Sequence, residues 1–393
     1  MKAAPRVLVI AALAALVLGA PYFLESRSVD FAGAVIYAII GLSLNVLIGY
    51  VGTISLGHQA FVGIGAFTAA YMAGQQGQPF LVGVVVAAIL GAVQALALGG
   101  LALRISGLYF ALITLSYGVL AQESLFNIKS LTGGGAGAFA TIPTGFRSYY
   151  FICLGFLAIV VYADWRLMKT KGGRALLALR ENPRVAATFG IDVKAYMLVG
   201  FAVSGLFAGI GGALLAHRDE VVDPTLFSFP LALLFVLMTV VGGLRSRTGI
   251  IIGSALFALL RVLVEEIPGF ERTLVRWDLT LPIIVLLLGA GVLYTGRGRR
   301  QTMIAGGVLV ALALLVLSPV TIPFLEDRLA EIPRLSPERA SGVIGPVLLL
   351  LVLTRLPGGI GQLVRPVQHW LRGNEWDWSI GRVKEVQITD VRA

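Results

Sequence analysis

Apolar runs long enough to cross a bilayer recur along the chain, separated by short polar links and by one long basic segment, Asp164–Lys194. A helix rises 1.5 Å per residue, so about 20 apolar residues span the hydrocarbon. Runs of that kind fall at 6–24, 31–50, 57–73, 80–103, 107–126, 148–164, 196–216, 229–244, 248–264, 280–295, 302–319 and 341–356. They are continuous in Leu, Val, Ile, Ala and Gly without two-residue alternation, which excludes a transmembrane barrel. In lipid each backbone polar group must be paired inside its own segment, which leaves helices. The pattern therefore predicts an all-α, polytopic transmembrane helical bundle of about 10–12 spans. Two runs are weaker. The run 57–73 opens on the polar Gly57-His58-Gln59, and 229–244 is short, so either can be re-entrant or broken.

Composition narrows the class. Charged residues make up 13% of the 393 and hydrophobic residues 57%, where a soluble domain carries about 25% charged. The expected division is a membrane domain over 1–356 and a polar, cytoplasmic tail over 357–393, in which Trp370, Trp376 and Trp378 read as interfacial anchors. Lys2 and Arg6 before the first run resemble a signal peptide, but the run continues to Leu24 and Pro21 disfavours cleavage, so an uncleaved span is expected. The net charge of +10 belongs to membrane orientation rather than to nucleic acid. With twelve crossings and a cytoplasmic N-terminus, 21 Lys and Arg fall inside and nine outside, with Arg261 within a span. That is the bias of inward-facing loops, and it puts both termini in the cytoplasm. Cys153 stands alone, so no disulfide within the chain or cysteine metal cluster is available.

The basic segment has its own organisation. Gly172-Gly173 reads as a helix break, and Arg174–Glu181 as a short amphipathic helix offering Leu176, Leu177 and Leu179. Asn182-Pro183 stops it, because the residue before proline avoids the helical region. A second short helix, Arg184–Phe189, ends at Gly190. Two short helices joined by a turn form a knob that fits a groove on a partner; a solvated loop on anionic lipid reads equally well from these features alone.

Several stretches, taken in order, resemble one family. They are Gly49-Tyr-Val-Gly-Thr-Ile-Ser-Leu-Gly-His-Gln-Ala-Phe-Val-Gly-Ile-Gly-Ala66, Leu103-Arg-Ile-Ser-Gly-Leu-Tyr-Phe-Ala-Leu-Ile-Thr-Leu115 and Leu131-Thr-Gly-Gly-Gly-Ala-Gly137. After them come Gly173–Val193, Val240-Val-Gly-Gly-Leu-Arg-Ser-Arg-Thr-Gly249 and Leu356-Pro-Gly-Gly-Ile-Gly361. Together they are similar to the LivM-type permeases, membrane subunits of branched-chain amino acid ATP-binding cassette (ABC) importers. The resemblance implies a bacterial inner-membrane protein working with two cytoplasmic ATP-binding subunits, a second homologous permease and an extracytoplasmic solute-binding protein. It implies that 164–195 is the cytoplasmic coupling loop, carried here by Arg174, Ala178, Arg180, Glu181, Asn182, Ala186 and Gly190. The chain has no G-x-x-x-x-G-K-[ST] phosphate loop, so ATP would be hydrolysed on partner chains. No cofactor or metal is expected, since no His has a second His or a Cys at helical spacing. Two features depart from the family. Its loop signature, Glu-Ala-Ala-x-x-x-Gly, aligns with Arg184-Val185-Ala186 and Gly190, so only the last Ala and the Gly match. The stretch 270–340 reads as an insertion with two extra spans.

Polar residues inside spans are the candidates for a translocation path, because buried polar groups there are costly and face protein or water. They are Asn45, His58, Gln59 and Glu123. Asn45 and Gln94 also read as interhelical hydrogen-bonding groups, His58 as a helix-start residue near the inner face, and Glu123 as a helix-end carboxylate. Arg261 and Glu265 are spaced for an ion pair. Gly63, Gly65, Gly209, Gly211 and Gly212 read as close-packing positions, and Leu131–Gly137 as an external loop. A self-sufficient secondary transporter would carry charges at mid-membrane, and a membrane enzyme would cluster its reactive groups; neither pattern is present. Permeases for urea and amides are the nearest alternative within the resemblance.

Overall fold

The computed structural model describes residues 17–19, 21–22, 28–105, 107–128, 138–266 and 359–371. The chain divides into two units, 1–259 with 345–393, and 260–344. The second is represented among the described residues only by the end of one helix. The expected insertion at 270–340, the loop Leu131–Gly137, Trp376, Trp378 and the side chains of Arg261 and Glu265 lie outside the described residues.

The described chain is helical. In order it forms α1 (Ser28–Asn45, continued as a π-helical turn Val46–Val51), α2 (His58–Ala70, continued as Tyr71–Gln75), α3 (Phe80–Ala102) and α4 (Leu108–Glu123). Then come α5 (Phe146–Lys169), α6 (Lys171–Glu181), α7 (Pro183–Thr188), α8 (Val193–Asp219), α9 (Phe229–Gly242), α10 (Arg247–Glu266) and α11 (Gly361–Leu371). Five of the described helical segments, 28–51, 80–102, 108–127, 146–169 and 193–219, are long and apolar enough to cross a membrane.

Helices α1 and α2 and the C-terminal two thirds of α8 form the buried centre, with α3, α4 and α5 around them. In lipid, apolar burial does not drive helices together, so close packing must. Small residues supply it. A side chain at Gly65 would strike the backbone of Gly209; one at Gly212 would strike Val62, and one at Gly205 would strike Gly91. Thus α2, α3 and α8 meet backbone to backbone, as the glycine series predicts. Gly63 serves differently, facing the ring of Phe126, which packs tilted on Phe67 and edge-on to Phe227 at centroid separations of 4.9 and 5.6 Å. Ser43 and Ser204 join α1 to α8 reciprocally, each hydroxyl donating to the other's carbonyl at 2.9 Å.

The two ends of the bundle are distinct. At one, β1 (Ala138–Phe139) and β2 (Val221–Val222) pair antiparallel, and Tyr149 donates its hydroxyl to the Leu214 carbonyl. At the other lie α6, α7 and the α9–α10 turn. There Ile360 donates its amide to Val241 at 2.8 Å, and Gly359 and Gly361 pack on Gly243 and Ser246. Two of the family-like motifs therefore meet in space.

Two sequence expectations are corrected. Gly172-Gly173 does not break a helix; both lie in the first turn of α6, and the break is at Thr170, whose hydroxyl accepts from the Gly173 amide at 3.4 Å. Gly173 is small because α6 turns back onto Leu167 and Met168. Nor does α2 begin near a face of the bundle. Residues 52–57 are non-helical, and they carry the chain inward so that His58 starts α2 beside Ser43 and Ser204. Ser204 is about 16 Å along α8 from Val193 at the helical rise of ~1.5 Å per residue.

Candidate functional site

The predicted loop residues separate into two faces. Asn182 caps α7: its Oδ1 accepts the amides of Arg184 at 3.0 Å and Val185 at 3.2 Å, with Pro183 in the first turn. That satisfies two of the unpaired amides every helix start presents. Gly190 follows α7 at φ +76, a left-handed conformation open to glycine. Between α6 and α7 lies a cleft of about 390 Å³, to which Ala178, Glu181, Asn182 and Ala186 contribute. Its other walls are Val185, Phe189 and Ile191, which sequence reasoning did not single out for docking. Phe189 is 81% exposed and Val185 49%. Apolar side chains on a solvated loop were the available signal.

The inner face of α6 is different. Leu176 and Leu179 are buried. Arg180 turns inward, and its Nη1 donates to the Gly49 carbonyl at 2.6 Å. Burial first, then the neighbouring Arg245, lowers its pKa, against the opposing pull of Glu181. Glu181 pairs with Arg245 at 3.7 Å in an exposed setting. Arg174 is exposed.

Beside Arg180 sits a polar cluster that the sequence did not reveal. Asp164, fully buried near the end of α5, pairs through Oδ2 with Arg247 of α10 and accepts the Tyr50 hydroxyl at 3.1 Å. Arg247 Nη2 also donates to the Asp164 carbonyl at 3.3 Å. Asn45 Oδ1 accepts the Arg245 amide at 2.9 Å. Arg245 is a non-glycine residue at φ +68, a conformation that costs energy unless its surroundings hold it. The end of α1, the end of α5, the loop and the α9–α10 turn are thus fastened together.

The remaining path candidates lie apart. His58 and Gln59 are buried within the bundle. His58 Nε2 is 2.8 Å from Ser43 Oγ, which also reaches the Ser204 carbonyl at 2.9 Å. His58 Nδ1 is left without a partner. Both side-chain atoms of Gln59 are also without partners. Gln94 donates to Tyr117, joining α3 to α4. Glu123 is exposed at the last residue of α4, its carbonyl accepting from Asn127 at 3.2 Å. The structure thus brings Asn45 to the loop end, His58 and Gln59 to the interior, and leaves Glu123 at a helix end. Among the described residues no three His, Cys, Asp or Glu are placed to hold a metal ion.

Five membrane-length helices and a buried half-span define a multi-pass membrane protein, with a two-helix loop carrying an apolar cleft at one end. Residues 31–290 match the family described as branched-chain amino acid transport system, permease component, and the chain belongs to that family. It is 27% identical over 310 residues to the high-affinity branched-chain amino acid permease LivM of Escherichia coli K12, covering 70% of this chain and 73% of that one. The Salmonella typhimurium LivM is also 27% identical, over 296 residues, covering 67% and 70%. The nucleoside ABC transporter permease NupC of Lactococcus lactis is 31% identical over 154 residues, covering 35% and 47%. No solved structure matches the chain.

Proposed function

We propose that this chain is the permease subunit of an ABC importer for branched-chain amino acids, in a bacterial inner membrane. An extracytoplasmic solute-binding protein delivers the solute, two cytoplasmic ATP-binding subunits supply the energy, and a second homologous permease completes the pathway. The loop end of the bundle faces the cytoplasm with both termini, and the end bearing β1 and β2 faces outward. Within this reading 1–356 is the membrane domain, 357–393 the tail, and 270–340 an insertion.

One observation carries the coupling part of the reading: the α6–α7 cleft with Phe189 and Val185 standing exposed on it. An apolar ring on a polar loop has no use in water and is suited to a groove on a protein partner. Family membership and resemblance to LivM at 27% identity over most of the chain support the solute class. His58 and Gln59, buried with unpaired polar atoms where a non-helical stretch enters the bundle, are the interior residues best suited to the path. Non-helical backbone at membrane depth is tolerated where it borders protein or a water-filled cavity. Asn45 and Glu123 are path residues nearer the two faces.

The test is reconstitution in liposomes with the partner subunits, following uptake of labelled leucine, uridine and urea. ATP-dependent leucine uptake that requires every subunit is the expected result. Uptake by this chain alone, without ATPase subunits, would refute the reading. Preference for uridine or urea would move the solute class.

A further inference from the structure

We propose that Arg180 is the positioning residue through which the loop moves the interior of the bundle, by holding the end of α1 and, through it, the non-helical segment 52–57. The inference rests on the coupling reading of 171–190 and names the element that coupling drives.

Three observations converge on this residue. Arg180 donates to the Gly49 carbonyl at 2.6 Å, in the last turn of α1, where carbonyls lose their helical partners. Its side chain also lies on Gly52: a Cβ there would stand 2.8 Å from Arg180 Cγ. Gly52 is in the left-handed conformation at φ +84, and its amide and that of Thr53 both turn back to Leu47 at 2.8 and 3.0 Å. The helix stops where Arg180 grips it. Other contacts between α6 and the bundle lack this character. Leu176 and Leu179 are buried without direction, and the Glu181–Arg245 pair is exposed at 3.7 Å and weak for that reason.

The gripped end leads straight inward. From Gly52 the chain runs non-helical to Gly57. The Leu56 amide is held by Thr114 Oγ1 at 3.0 Å, and Gly57 packs on the Thr114 carbonyl. His58 follows. Non-helical residues absorb backbone rotation where a helix moves as a rod, so this is the stretch able to shift without breaking α1 or α2. At its far end His58 Nδ1 and both Gln59 atoms are buried and unpartnered. Displacement therefore breaks few bonds there and gives these groups access to water or solute.

A covalent substitute for the grip provides the test. An ideal Cβ on Gly52 lies 3.4 Å from Arg180 Cβ, close to the roughly 3.5–4.5 Å of a disulfide, and the native Cys153 is buried. The complete importer is assayed for ATP hydrolysed per leucine imported. Arg180→Cys, and separately Arg180→Ala, should raise that ratio about tenfold, within the range for a lost coupling between sites. Adding Gly52→Cys to Arg180→Cys and oxidising should return it close to the wild-type ratio, and reduction should lose it again. Subunit copurification should be unchanged throughout. Wild-type ratios in Arg180→Ala, or an oxidised double variant that stays uncoupled, would overturn the proposal. If the Gly52→Cys chain does not assemble, Arg180→Ala alone still decides. Failure of the wild-type importer to show ATP-dependent uptake would instead remove the underlying functional reading.

Discussion

Asp164 and Arg247 stand 83 residues apart and form an ion pair, its carboxylate buried and its guanidinium partly exposed, that fixes the end of α5 to the start of α10. Tyr50 shares the same carboxylate oxygen at 3.1 Å, so α1 is held there as well. Burying charges is costly, and breaking such a pair by removing one member costs about 3–5 kcal/mol, because the other charge is left uncompensated. Arg247→Met should therefore lower the thermal midpoint of the detergent-purified chain sharply. The double variant Asp164→Leu, Arg247→Met should recover most of the loss. Equal midpoints for wild type and Arg247→Met would show that the pair is not a fastening.

Glycine positions offer a second contrast. Gly209 meets the backbone of Ala87, and a Cβ there has no room to form, whereas Gly155 faces open space. Gly209→Val should force α3 and α8 apart and abolish recovery of a monodisperse protein. Gly155→Val should change yield and melting little, since only helix propensity, well under about 1 kcal/mol, is at stake. Size-exclusion profiles of the two variants check this.

The sequence carried a good part of this fold and less of its connections. Spans such as 80–103 and 196–216 were legible because an apolar run is a local property, and α3 and α8 occupy them nearly end to end. The Asn182-Pro183 stop and the Gly190 turn were legible for the same reason. Asp164 was visible only as the first residue of a basic segment, because nothing near it in sequence announces Arg247 or Tyr50. The non-helical run 52–57 falls in the gap between the apolar runs 31–50 and 57–73, so its position was legible, but its course into the interior was not. The place where α2 starts depends on Thr114 and Ser43, which belong to other helices.

The loop turn provides a third prediction. Gly190 has φ +76, and nothing lies within 4 Å of the place a Cβ would take, so the constraint is conformational, not steric crowding by neighbours. Asparagine enters the left-handed region readily and β-branched residues do not. Gly190→Asn should retain coupled transport, while Gly190→Val should raise ATP consumed per leucine with expression intact. Equal coupling in the two variants would count against a fixed turn.

The cap at Asn182 can be tested separately. Its Oδ1 serves two amides of α7, and replacing such a cap by alanine costs about 0.5–2 kcal/mol locally. Asn182→Ala should loosen α7 and weaken the grip of the ATPase subunits, while Asn182→Asp should preserve it. Copurification at graded salt measures the difference; identical retention of the ATPase by both variants would dissociate α7 from docking.

Most direct of all is the accessibility of Phe189. Cys153 is the only native cysteine and is buried, so Phe189→Cys presents a single reactive thiol on the loop. Membrane-impermeant maleimide should label it in inside-out vesicles and not in right-side-out ones, and bound ATPase subunits should protect it. Labelling from the outer face, or labelling that the ATPase subunits leave unchanged, would contradict a cytoplasmic docking loop and the coupled importer built upon it.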